Sequence, residues 1–178
     1  TSATDYLAYG SLIQWGRKPD GHELITYTNG STGTAANGTT TTRPNADTAA
    51  NALFITINSG NYDWRGTTQN DALWATEASA NNPCPVGFRV PTNAELTTLV
   101  TAASITNSAS AASSILKFTV PGYRRYNNGT LEGQGTNVYY WSTTVNGTSP
   151  FHMYFGSTAA GAGGNARASG STVRCLKD

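Results

Sequence analysis

Charge is scarce in this chain. Asp, Glu, Lys and Arg make up 12% of its 178 residues, about half the share usual in soluble domains. The charges that occur nearly cancel. The net +1 offers no electrostatic basis for holding nucleic acid or an anionic lipid surface. Long apolar runs are missing too: nothing approaches the ~20 residues of a membrane-spanning helix, which argues against direct membrane insertion. Histidine is confined to His22 and His152 and cysteine to Cys84 and Cys175, too few soft ligands for structural zinc. Neither an initiator Met nor a signal sequence opens the chain at Thr1. It therefore reads as a mature or trimmed product, with any anchor in a segment outside it.

What is abundant is small and neutral. Thr, Asn and Ser account for 59 residues and Gly for 19 more, a hydroxyl- and amide-rich surface in place of an ionic one. Such a composition also suits disorder, but four Trp, nine Tyr and five Phe are more large apolar groups than a coreless chain carries. A single domain over residues 1–178 is expected. Arg outnumbers Lys by 8 to 3, and because Arg forks to carbonyls and stacks on rings, some of it is expected to be structural. Cys84 and Cys175 lie 91 residues apart. The favoured reading is one long-range disulfide, adding at most about 4–5 kcal/mol by loop closure and implying an oxidising, extracytoplasmic setting. Two buried free thiols are the alternative.

The first half is weakly patterned. Pro19-Asp20-Gly21 predicts a turn, and Leu24–Thr28 a short strand. Residues 29–48 are polar and aperiodic, and predict a surface loop. Ala50–Ile57 fits helix or strand, and Trp64 is expected to anchor the following loop in the core. Asn70-Asp71 ahead of ALWATEA predicts a short helix. The sharpest local signal is Thr92 with Glu95 three residues on, a capping box that predicts a helix over about 93–103. From Leu116 the period becomes two, in LKFTVPGYR, VYYWSTTV, FHMYF and STVRCL, with Asn-Gly turns at Asn128 and Asn146. This half predicts antiparallel sheet with long Gly-rich connections. In FHMYFG, Met153 and Phe155 inward would put His152, Tyr154 and Gly156 outward.

Four blocks, YGSLIQWGRKPDGHE, NPCPVGFRVPTNAEL, VPGYRRYNNGTLEGQGTNVYYWSTT and GSTVRCLKD, resemble in order the Fibrobacter succinogenes major paralogous domain. The family usually has Trp where this chain has Phe88, and a second Ser where it has Thr143. The resemblance implies an α+β, C-type-lectin-like fold of the formylglycine-generating-enzyme branch: antiparallel sheets, one or two helices and long irregular loops. It also implies use outside the cell or at a bacterial cell surface. Residues 137–178 are further similar to the variable regions of proteins diversified by retroelements, in which adenines of Asn codons are randomised within a retained framework. Tyr140-Trp141-Ser142, Gly147-Thr148, Phe155, Arg167-Ala168, Gly170 and Val173-Arg174-Cys175 match that framework. The interleaved residue types, at Phe151, His152, Gly156, Ala159, Gly161, Gly163, Ala166, Ser169 and Ser171, are all reachable from an Asn codon through adenine changes.

These residues suggest a non-enzymatic protein that binds a protein or glycan on another cell or surface. The candidate ligand-binding set is Tyr139, Phe151, His152, Tyr154, Gly156, Gly161, Gly163, Ala166, Ser169 and Ser171, with small residues making a shallow surface. A carbohydrate-binding or adhesin domain with a fixed ligand is the alternative, with Trp15, Trp64 or Tyr126 stacking on sugar; a structural surface-layer role is another. His152 lacks metal or catalytic partners nearby in sequence and is expected as an exposed strand residue. The formylglycine-generating enzymes hold copper through cysteines close in sequence, so the wide Cys84–Cys175 spacing speaks against catalysis. No cofactor is expected. Calcium is the one metal kept open, at Asp20, His22 and Glu23 or at Asp63 and Asp71, against solvated turns. Sequons at Asn29, Asn37, Asn128 and Asn146 are read as turn formers. Trp141 is expected in the core, and Arg174 buried against loop carbonyls.

Overall fold

Among the described residues, short strands, two α-helices and one 3-10 turn (Tyr6–Ala8) make up the regular structure, and irregular loops connect them. The computed structural model describes residues 2–178. Its strands are β1 (Ile13–Gln14), β2 (Ile25–Asn29), β3 (Thr32–Ala35), β4 (Thr39–Thr40), β5 (Phe54–Ile55) and β6 (Phe88–Arg89). The helices α1 (Asn93–Ala102) and α2 (Ser108–Ser113) follow. Then come β7 (Tyr123–Arg124), β8 (Leu131–Glu132), β9 (Val138–Asn146), β10 (Ser149–Phe155), β11 (Ala160–Gly164), β12 (Gly170–Ser171) and β13 (Leu176–Lys177). Every strand pairing is antiparallel except β4 with β5, so the architecture is α+β.

Two sheets organise the molecule. One runs β1-β12-β7-β8 and brings the two ends of the chain together, with Ile13 opposite Ser171. The other runs β11-β10-β9. They are joined where Trp141 N–H donates to Thr172 O and Thr172 N–H to Tyr139 O, at 2.9 and 3.1 Å. Gly170 makes the tight crossing feasible: a Cβ there would meet Leu12 O at 2.8 Å and the Phe54 ring at 2.9 Å. Cys84 and Cys175 form the expected disulfide, beside the β6–β13 pair.

The period of two in β9 and β10 sets their packing. Val138, Tyr140, Met153 and Phe155 share one face with Leu96 and Val100 of α1, and with Ile105, Phe118 and Val120. The capping box is present, with Thr92 Oγ1 accepting from Glu95 N–H and Glu95 accepting from Thr92 N–H. A second cluster holds Ile13, Trp15, Trp74, Val90 and Trp141, and a third Ile55, Ile57, Trp64 and Leu73.

Loops that lack ladders are held by pins. All four Trp are buried, and each indole N–H donates to a main-chain carbonyl: Trp15 to Ser142, Trp64 to Trp15, Trp74 to Asn81 and Trp141 to Ile13. Three Arg are equally buried. Arg124 lies 4.2 Å over the Phe54 ring and donates to the carbonyls of Gly129, His22 and Asn37, with burial pulling its pKa down to about 10. The structural Arg foreseen from composition is thus Arg17, Arg124 and Arg167. Arg174 is instead exposed, its guanidinium 5.4 Å over Phe118.

Other expectations are corrected. Residues 29–48 are not only loop: the last residue of β2, all of β3 and β4 fall there. Residues 70–77 form turns rather than a helix, because neighbouring Leu73 and Trp74 are drawn into different clusters, a divergence that one helical face cannot supply. Residues 116–120 run without a ladder, and α2 occupies a stretch with no legible period. STVRCL splits into the short β12 and β13, so the expected single strand is interrupted.

Candidate functional site

Register dictates what the second face of the β9–β10–β11 sheet carries. Tyr154 is opposite Tyr139 and Gly161, and His152 opposite Trp141 and Gly163. Side chains alternate, so Tyr139, Trp141, His152, Tyr154, Gly161 and Gly163 all face away from the α1 core. The rings interlock: Tyr139 meets His152 at 4.7 Å and Tyr123 at 5.1 Å edge to face, and Tyr154 at 5.2 Å with the rings tilted by 36°. Together with the Gly and Ala of β11 and Ala159, Tyr139, His152 and Tyr154 line an open hollow of about 340 Å³.

The glycines make this floor low. A Cβ at Gly161 would meet nothing within 4 Å, and its backbone is not left-handed, so neither sterics nor conformation demands glycine. At Gly163 a Cβ would touch the His152 ring at 3.4 Å. β11 lies at the edge of its sheet and adds little cover of its own.

His152 is a correction to the exposed position expected from alternation. It is on the outer face as the period requires, yet only 6% exposed, because Tyr139 and Trp141 flank its ring. Burial pushes its pKa down to about 4, so it is neutral near pH 7. Nδ1 is buried without a partner, while the ring still borders the hollow.

The other candidate residues separate. Phe151 is half-buried at the β-bulge and gives its carbonyl to Ser142 Oγ. Gly156 is buried beneath Tyr154, whose hydroxyl a Cβ would run into, so it supports the ring and is no contact surface. Ser169 and Ser171 are buried, contrary to the outward placement expected of them. Ser169 Oγ donates to Asn165 Oδ1 at 3.1 Å, and Ser171 is in β12, between β1 and β7, opposite Ile13. Ala166 borders a second hollow of about 280 Å³ with Asn61, Tyr62, Tyr126, Thr148, Ser149 and Asn165. There Tyr62 meets Tyr126 edge to face at 5.3 Å. Trp15 and Trp64 are fully buried and cannot stack on a sugar, so of the three rings considered only Tyr126 borders a hollow. Sequence reasoning missed Ala160, Ala162 and Tyr62, since nothing local separates them from ordinary loop and edge-strand residues.

Asp20, His22 and Glu23 do come together, their ligand atoms within 4.8 Å of one another. Both His22 nitrogens are engaged, Nε2 accepting from Gln14 N–H at 3.0 Å and Nδ1 lying 2.7 Å from Asp20. The Asp20 carboxylate also takes two hydrogen bonds from Arg17, so this buried network replaces the solvated turn expected there. Such a donor set does not suit calcium, which wants six to eight oxygens. Asp63 and Asp71 both face Arg167, which supplies the cation there.

No described helix is long and apolar enough to cross a membrane. Comparison with known proteins finds no matching family model, no significantly similar curated protein and no significantly similar solved structure.

Proposed function

We propose that this chain is a non-enzymatic binding protein of C-type-lectin-like fold, displayed outside the cell or at a bacterial cell surface, whose ligand rests on the outer face of the β9–β10–β11 sheet. The observation that carries the reading is the glycine-floored aromatic hollow: Tyr139, His152 and Tyr154 stand over Gly161 and Gly163, and every residue lining it comes from within 137–178. The side chains that hold the fold, Val138, Tyr140, Met153 and Phe155, point the other way. Residues 154, 159, 161 and 163 can therefore vary with little loss of core, the property a diversifiable surface needs. The resemblance to retroelement-diversified variable regions supports the same division, with a protein or glycan on another cell or surface as partner. Gly156, Ser169 and Ser171 are set aside from this surface.

The test is a displayed library randomised at 154, 159, 161 and 163 and selected against an unrelated protein such as lysozyme. Folded binders with near-parental melting temperatures are expected. A library that yields only unfolded variants overturns the reading. A near-copy of the DNA for the last residues, differing at adenines beside a reverse transcriptase gene, would tie the surface to retroelement diversification.

A fixed-ligand carbohydrate module is the second reading, favoured by the other hollow, where Tyr62 and Tyr126 sit beside Asn61, Thr148, Ser149 and Asn165. Rings with amides and hydroxyls at their edge are sugar-binding chemistry. On a glycan array, one sugar preference unchanged by substitutions at 161 and 163 would favour it.

A further inference from the structure

A third cavity, of about 400 Å³, lies away from both hollows, between residues 8–11, 172–175 and 117–119. That volume is in the range of small-molecule sites. Framework residues build it, and it shares no lining residue with the Tyr139–His152–Tyr154 face. Ile13 and Val173 supply apolar wall, and Ser11 and Thr172 supply hydroxyls.

Two cations, Lys117 and Arg174, line this cavity. Among the described residues neither has a carboxylate partner, whereas Arg17, Arg65, Arg89, Arg125 and Arg167 all do. Arg174 rests its guanidinium face over Phe118, an arrangement that leaves the N–H edge to donate. The single bond of Lys117 Nζ goes to Ser113 O at 3.2 Å. The Lys117 backbone is left-handed, with φ 51°, a conformation uncommon for a side chain of this size.

Glu23 also borders the cavity. Its Oε2 accepts from Gly21 N–H at 3.0 Å and Asp20 N–H at 3.3 Å, which leaves Oε1 as an acceptor. A ligand must therefore satisfy two cations and also offer donors. A fatty acid meets only the first demand and a neutral sugar only the second.

We propose that this cavity binds a small monocarboxylate bearing hydroxyl groups. Its carboxylate pairs with Arg174 and Lys117, and its hydroxyls are shared among Glu23, Ser11 and Thr172. A ring acid such as glucuronate and an open-chain acid such as gluconate both carry this chemistry.

The test is an amide NMR titration of the disulfide-bonded chain with glucuronate, gluconate, glucose and hexanoate. At least one hydroxylated acid is expected to saturate the shifts of Ser11, Thr172 and Arg174 with a Kd of order 1 mM, and glucose and hexanoate to bind at least about 10-fold more weakly. Which of the two acids binds tighter distinguishes ring from open-chain source. Arg174→Gln and Lys117→Asn are each expected to weaken binding about 10-fold at unchanged melting temperature, Asn being chosen because it tolerates the left-handed backbone. The proposal falls if neither acid binds, if glucose or hexanoate binds as well, if only His152 and Tyr154 shift, or if both variants bind like the parent.

Discussion

The two faces of the β9–β10–β11 sheet contain similar residues and do different work. On the inner face Val138, Tyr140, Met153 and Phe155 are buried against α1 and Phe118. On the outer face the picture changes along the strands. Trp141 and His152 are as buried as the inner set, Trp141 packed with Ile13, Trp15 and Trp74 and His152 flanked by Tyr139 and Trp141, while Tyr139 and Tyr154 are half-buried beside Gly161. An aromatic strand face is thus closed at one end by loops and open at the other. The boundary between the packed body and the open hollow falls within a strand, at His152, and not between faces.

The largest effect should separate the faces outright. Phe155→Ala removes a fully buried ring and is expected to cost about 3–5 kcal/mol in urea unfolding. Tyr154→Ala, half-buried on the other side, is expected to cost about 1 kcal/mol or less. Equal losses would mean that both faces are core.

The second prediction tests the boundary residue through pH. His152 has a folded pKa near 4 against an ordinary 6.5, so between those values the unfolded chain binds the extra proton. Stability from neutral His152 is therefore complete above pH 6.5 and lost as the pH falls toward 4. Burial lowers the pKa of His22 as well, so the informative quantity is a difference. Relative to His152→Gln, the parent should lose about 2–3 kcal/mol between pH 7 and pH 4.5, each pKa unit being worth 1.36 kcal/mol. A constant difference would move His152 into the open part of the face.

Trp141→Phe probes the closed end. The ring keeps most of its packing, but Ile13 O loses the indole N–H that reaches it at 2.9 Å. An unpaired buried carbonyl is expected to cost about 1–3 kcal/mol, measured by chemical denaturation. Were the loss negligible, water would have to reach Ile13 O, and the N-terminal loops would not seal that end.

What was legible in the sequence divides along the same line. The Thr92–Glu95 capping box and the inward Met153 and Phe155 follow from local spacing, and the structure has both. Of the two readings the cysteine spacing allows, the favoured disulfide is present. Alternation also puts His152 on the correct face, but its burial comes from the Tyr139 and Trp141 rings of the neighbouring strand, and Trp141 in turn packs with Trp15 and Trp74, which come from far along the chain. Ser169 and Ser171 are small and polar and look like surface; both are interior, Ser171 within β12 between β1 and β7 and Ser169 just ahead of that strand. The cavity of Lys117 and Arg174 has no signature, since its walls come from six separated parts of the chain.

The smallest effect bears most directly on why the open end is bare. Gly161 has room for a Cβ, its φ is not left-handed, and it lies in a strand, where glycine is worth about 0.5–1 kcal/mol less than alanine. Gly161→Ala should therefore raise stability by up to about that amount, whereas Gly163→Ala, 3.4 Å from His152, should gain less or nothing. A gain at 161 that accompanies weaker binding by a selected variant would show that the missing methyl serves the hollow and not the fold. A loss of stability at 161 would instead mean that the edge strand needs glycine for its own path, and the low floor would be a by-product of the backbone.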